Sequence, residues 1–183
     1  MLRHLPNLLS ALRLLAAPLT AWLILEAHDT AALLVFAAAG ASDGLDGFIA
    51  RRWGFTSKFG AWLDPAADKL LMLLCFAALW KVGVLPVWLL LLVVARDGAI
   101  AAGWLLAKAL SLPVNFDPPR IGKAATVVQV VYALGVLLML AFEIQAPGLA
   151  LAGAFVVAAL IVATGLLYAL IFLRGISAGR GIA

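Results

Sequence analysis

Asp43-Gly-Leu-Asp46-Gly47-Phe-Ile-Ala50-Arg51, then eight residues to Gly60, three to Asp64 and three more to Asp68: on this stretch the reading of the whole chain turns. Its four carboxylates sit in otherwise apolar surroundings. Asp43 and Asp46 are three apart and Asp64 and Asp68 four apart, so each pair shares one face of a helix. The two helices run antiparallel, joined through the polar loop 51–59. At 1.5 Å per residue, Asp46 lies about 7 Å beyond Arg51 and Asp64 about 6 Å beyond Gly60, while Asp43 and Asp68 each lie about 12 Å along. The pairs therefore match in depth, and facing each other they form a cup of four carboxylates.

What surrounds the cup is a membrane protein. Of 183 residues 66% are hydrophobic and only 12% charged, with a mean hydropathy of +1.15. A soluble domain carries about a quarter charged residues, so the solvent for this surface is a bilayer. Six apolar segments, near 8–25, 30–50, 59–80, 85–107, 124–142 and 149–173, are each about long enough to span. The expectation is an all-α, six-helix transmembrane fold in one domain covering 1–183, with no internal repeat. Arg13, Pro18 and the spans that follow argue against the first segment being a cleaved leader.

Charge placement orients the helices. With the N-terminus inside, Arg3, Arg51, Arg52, Lys58, Lys108, Arg120, Lys123, Arg174 and Arg180 fall on one side. Lys81 falls on the other with Glu26, Asp29 and Glu143. That asymmetry places both termini in the cytoplasm. The overall charge of +4 reflects this topology rather than nucleic-acid binding. The single cysteine, Cys75, and the histidines His4 and His28 do not suggest a thiolate or imidazole metal centre.

Charged side chains at the bilayer centre cost about 2.5–3.5 kcal/mol each on insertion scales. One such residue is ordinarily a snorkelling or locally paired charge. Four aspartates on two neighbouring helices require either protonation or a cation among them. An all-oxygen donor set suits Mg²⁺ or Mn²⁺, and four carboxylates suffice for two ions. Gly44, Gly47 and Gly60 serve close helix packing or the approach of backbone to a bulky ligand. Arg51, Arg52 and Lys58 border the cup as the positive-inside signal or as diphosphate ligands.

Residues 43–68 resemble the signature of the CDP-alcohol phosphotransferase family at every fixed position, and the opening Pro6-Asn7-Leu-Leu-Ser10-Ala-Leu-Arg13 is similar too, with Ser10 where Thr is common. The resemblance implies that Asp43, Asp46, Asp64 and Asp68 hold two divalent cations and that Asp68 is also the base for the acceptor hydroxyl. It implies that Gly47, Ala50, Arg51 and Gly60 line the CDP site, approached by Asn7, Ser10 and Arg13 from the first span. It further implies a homodimer with its site open to the cytoplasm, in the cell membrane, using CDP-diacylglycerol as phosphatidyl donor.

The acceptor is the finer question. A phosphate-bearing alcohol needs cations, for which Arg96, Arg120 and Lys123 are available. Arg96 lies mid-span, with Asp97 turned about 100° away on the same helix and so no obvious partner. Its other reading is a structural pair with another helix. The run Val94-Ala-Arg96-Asp97-Gly-Ala-Ile looks more like CMP-forming cardiolipin synthases, which implies phosphatidylglycerol as acceptor. Phosphatidylglycerophosphate synthases tend to have Arg-Glu there and a second Arg soon after, which this chain lacks; Ile121-Gly-Lys123-Ala-Ala-Thr126-Val-Val-Gln129 is shared by both groups and does not decide, so glycerol 3-phosphate is the alternative acceptor. A cation transporter also places carboxylates in a membrane, but ordinarily near the midplane between repeated halves. A membrane scaffold has no use for four uncompensated aspartates.

Overall fold

In the computed structural model residues 5–53, 58–109 and 120–180 are described, with side chains placed at 10–42, 65–109, 122 and 124–173. The chain forms six helices: α1 Leu5–Leu25, α2 Asp29–Trp53, α3 Lys58–Lys81, α4 Val87–Ala109, α5 Arg120–Ala141 and α6 Pro147–Arg180. Each covers one expected apolar segment to within a few residues, except that α6 runs seven residues past the expected end at 173. Val87–Ala109, Ala124–Ala141 and Pro147–Leu173 are long and apolar enough to cross a membrane. The described apolar stretches Ser10–Leu25 and Asp29–Ser42 are shorter.

Local chemistry explains where the helices turn. At the ends of α1, α3 and α5 the same capping motif recurs. His28 N–H donates to Leu23 O, Val84 N–H to Leu79 O and Ile144 N–H to Met139 O, at 2.8, 3.0 and 2.8 Å. The residue before each donor takes a left-handed backbone: Ala27 at φ 57°, Gly83 at φ 81° and Glu143 at φ 54°. This is the Schellman arrangement, which satisfies carbonyls orphaned by the helix end. Pro147 then starts α6 at the first helical position, where its missing N–H costs nothing. Asp29 sits in the first turn of α2, favoured by the helix dipole.

Turns this short make consecutive helices antiparallel. Asp29, Gly83, Pro86, Glu143 and Pro147 line one cavity of about 520 Å³, so the three capped turns gather at one end of the bundle. The C-terminal half of α2 and the N-terminal half of α3, which carry the aspartates, point to the opposite end.

Helix α1 is the organising element. It packs against both α2 and α3, α2 leans on α5, α3 touches α4 and α5, and α6 covers α4 and α5. Ala17, Ile24, Phe36, Cys75, Phe76 and Leu79 are buried in the core so formed. Small residues let the helices approach, as membrane packing requires. At Gly153 the contact is tight, since a Cβ there would come within 2.8 Å of the Tyr132 ring. Trp88 and Phe155 stack between α4 and α6 at 5.3 Å. Large apolar side chains such as Leu15, Leu34, Leu91 and Val127 point outward, the pattern of a surface facing lipid rather than water.

Candidate active site

The site begins with helix membership. Asp43, Asp46, Gly47, Ala50 and Arg51 lie on α2, and Gly60, Asp64 and Asp68 on α3. Asn7 and Ser10 lie on α1, Arg96 on α4, and Arg120 and Lys123 in the first turn of α5. For Asn7, Asp43, Asp46, Gly47, Ala50, Arg51, Gly60, Asp64, Arg120 and Lys123 only the backbone helix is described. The facing of the two aspartate pairs therefore rests on side chains outside the described residues.

Asp68 is described, and its surroundings are specific. Arg13 Nη1 donates to Asp68 Oδ1 at 2.6 Å, with the arginine side chain 0% exposed and the aspartate 41%. A buried arginine from α1 thus holds the carboxylate of α3 at one end of its reach. The bond is charge-assisted, the stronger kind, and the low polarity around Arg13 strengthens it further. Ser10, one turn before Arg13 on the same face, is also buried. An open groove of about 250 Å³ lies between α1 and α2, walled by Leu12, Ala16, Val35 and Ala39 with Arg13 and Ser42.

A second ion-pair cluster joins α3 to α4. Asp97 Oδ1 accepts from Arg96 Nη1 at 2.7 Å, and Asp97 Oδ2 lies 3.4 Å from Lys69 Nζ. The expectation that Asp97 is no partner for Arg96 is therefore corrected. The Cβ vectors do diverge by about 100°, but the long guanidinium stem folds back across that angle. In an apolar setting, pairing with the neighbouring carboxylate is favoured over standing alone. Lys69 was not singled out as a site residue from the sequence. The available signal was a lysine directly after Asp68 and an aspartate in the next span, two intramembrane charges of opposite sign.

Of the four aspartates only Asp68 has a described side chain, and among the described residues no group of three or more His, Cys, Asp or Glu could hold a metal ion. The acids available are carboxylates at helical spacing, and the bond to Arg13 occupies Oδ1 of Asp68 while the side chain stays partly open. Oxygen donors of this type suit Mg²⁺ or Mn²⁺.

Arg13 of α1 is thus fixed to Asp68 of α3, one of the two helices that carry the aspartates. The chain belongs to the CDP-alcohol phosphatidyltransferase family, whose profile matches residues 3–167. It is similar to a cardiolipin synthase (CMP-forming) of Streptomyces coelicolor, 41% identical over 143 residues, which covers 73% of this chain and 64% of that protein. A human cardiolipin synthase (CMP-forming) is 40% identical over 109 residues, 59% of this chain and 36% of that one. A chloroplastic CDP-diacylglycerol–glycerol-3-phosphate 3-phosphatidyltransferase of rice is 40% identical over 109 residues, 60% of this chain and 33% of the relative. The matched part thus spans from a third to just under two thirds of these relatives.

Proposed function

We propose that this protein transfers a phosphatidyl group from CDP-diacylglycerol to phosphatidylglycerol, releasing CMP and forming cardiolipin. The observation that carries the reading is the Arg13–Asp68 pair, because it holds one carboxylate of the family's signature in place. The similarity to cardiolipin synthases supports phosphatidylglycerol as acceptor. The rice relative supports a second reading, glycerol 3-phosphate as acceptor.

In this reading all six helices span the membrane, both termini are cytoplasmic and the site opens to the cytoplasm. The protein acts as a homodimer in the cell membrane. Asp43, Asp46, Asp64 and Asp68 would hold two Mg²⁺ or Mn²⁺ ions, which would supply neutralisation of the donor's diphosphate charge. Gly47, Ala50 and Gly60 leave room for the CDP moiety, with Asn7 and Ser10 approaching it from α1 and Arg51 contributing charge. Asp68 accepts the proton of the acceptor hydroxyl. The acceptor oxygen forms a bond to the phosphorus bearing diacylglycerol as the bond from that phosphorus to the CMP oxygen breaks, and CMP carries away the electron pair. Arg13 keeps Asp68 oriented during this exchange. Arg96, Arg120 and Lys123 receive the acceptor's phosphate.

Two variants test the division of labour. Asp68→Asn removes the base, whose contribution is typically about 10²–10⁴-fold, and should abolish turnover while CDP-lipid binding is largely kept. Asp43→Asn should lose Mn²⁺-dependent binding as well. Equal loss of binding in both would show that Asp68 is a metal ligand and not the base.

A further inference from the structure

We infer that the groove between α1 and α2 holds an acyl chain of the donor lipid. The inference rests on the proposed transfer reaction and deepens it by naming where the donor's diacylglycerol lies.

One side chain joins the groove to the site. Arg13 is part of its wall and donates to Asp68 Oδ1 at 2.6 Å. Ser42, which also lines it, directly precedes Asp43 on α2. From Ser42 the α2 wall runs back through Ala39 and Ala38 to Val35, away from the aspartates. Seven residues of helix make that wall about 10 Å long. On the antiparallel α1, Ala16 follows Arg13 in the same direction. The groove thus leads from the aspartate end toward the middle of the bundle. An acyl chain takes that course from a lipid headgroup to the bilayer centre.

Shape and polarity suit hydrocarbon. Ala16, Ala38 and Ala39 are small, and small residues ordinarily let membrane helices close on each other. Here a gap of about 250 Å³ remains between them. Ala39 is buried, whereas Leu12 and Ala38 are exposed to whatever enters. The Ser42 hydroxyl donates to Ala39 O at 2.7 Å. Its proton is satisfied within the helix, so a chain lying against it strands no donor.

The connectivity of the substrates selects the donor. In CDP-diacylglycerol the attacked phosphorus is joined through one oxygen to the diacylglycerol, so the acyl chains begin a few bonds from the reacting atom. In phosphatidylglycerol a glycerol and a phosphodiester separate the reacting hydroxyl from the chains, and glycerol 3-phosphate has no chain. A groove whose polar end is the partner of Asp68 and the neighbour of Asp43 therefore matches the donor.

The test uses the full chain in detergent with Mn²⁺, comparing kcat/KM for CDP-dioleoylglycerol and CDP-dibutyrylglycerol. Ala38 lies about 6 Å along the helix from Ser42, where an oleoyl chain passes and a butyryl chain stops short. Each methylene kept from apolar surface costs about fourfold, and a leucine at this position displaces at least two. Ala38→Leu should therefore lower the dioleoyl-to-dibutyryl ratio by about tenfold or more, mainly through KM for the donor. Ala152→Leu, on the exposed face of α6, should leave the ratio unchanged. A ratio within about twofold of wild type in Ala38→Leu overturns the inference. So does an effect that follows the chain length of phosphatidylglycerol instead of the donor's. Should Ala38→Leu not fold, photolabelling of the wild type decides without turnover. CDP-diacylglycerol carrying a diazirine on one acyl chain should label peptides containing residues 12–16 or 35–42, and CDP-dibutyrylglycerol should compete that labelling away. Labelling confined to other helices, or labelling that survives the competitor as ordinary bilayer lipid would, overturns the inference. Wild type that releases no CMP with either acceptor refutes the transfer reaction and this inference with it, whereas active wild type with an unmoved ratio and an unlabelled groove refutes only the groove.

Discussion

Arg13→Gln is the perturbation that bears most directly on the site's construction. It removes the charge and shortens the side chain while keeping a hydrogen-bonding end. The bond lost joins Arg13 Nη1 to Asp68 Oδ1 at 2.6 Å, with one partner fully buried and the other 41% exposed. Hydrogen bonds to charged groups contribute about 1.5–3 kcal/mol, and the partial exposure of Asp68 places this one near the lower figure. The shorter side chain leaves a small void in a fully buried position, adding about 1 kcal/mol. The expected loss of stability is therefore about 2–3 kcal/mol. The effect on catalysis is separate. A carboxylate released from its anchor can shift by an ångström, and such misplacement costs about 10²-fold in rate. The assay follows CMP release and thermal unfolding in detergent for Arg13→Gln and Arg13→Lys side by side. Lys restores the charge without the planar fork and should recover part of the stability and only a fraction of the rate. If Arg13→Gln turns over within about twofold of wild type and melts at the same temperature, the positioning role of Arg13 is refuted.

Three further expectations follow from packing and charge. Gly153→Ala places a Cβ 2.8 Å from the Tyr132 ring, against an optimum of about 3.5–4.0 Å; it should destabilise by about 1–3 kcal/mol in unfolding experiments, whereas Gly165→Ala, which meets open space, should not. Ala27→Gly and Glu143→Gly relieve left-handed backbone at the caps of α1 and α5 and should each raise stability by about 0.5–1 kcal/mol in the same measurement. Arg96→Ala should raise KM for the phosphate-bearing acceptor more than for CDP-diacylglycerol, read from steady-state CMP release with each substrate varied in turn.

The sequence revealed the helices because the physics that sets them is local. Apolar runs of spanning length end where Glu26, Lys81 and Glu143 appear, and all six observed helices fall on those runs. The overrun of α6 is the stretch Arg174–Arg180, which lies beyond the apolar segment that ends at 173. Helical hydrogen bonding there continues past the point where hydrophobicity gives any signal. The aspartate spacing was legible for the same local reason, since i, i+3 and i, i+4 positions share a face.

The partners of the charges were not legible. Arg13 and Asp68 are 55 residues apart, and only the placement of α1 against α3 brings them together. Backbone angle counting made Asp97 no obvious partner for Arg96, because it treats a side chain as a fixed vector, whereas a long guanidinium bends to the nearest opposite charge when water is scarce. Lys69 was visible as an intramembrane charge, but its partner was not, because Asp97 lies on the next helix.

The central claim is settled most directly by identifying the product. Purified protein in detergent receives CDP-diacylglycerol, Mn²⁺ or Mg²⁺, and either phosphatidylglycerol or glycerol 3-phosphate, with CMP and lipids followed by mass spectrometry. The account predicts metal-dependent CMP release with cardiolipin formed from phosphatidylglycerol. Phosphatidylglycerophosphate as the product would contradict the assignment of the acceptor, and no CMP release with either alcohol would contradict the transfer reaction as a whole.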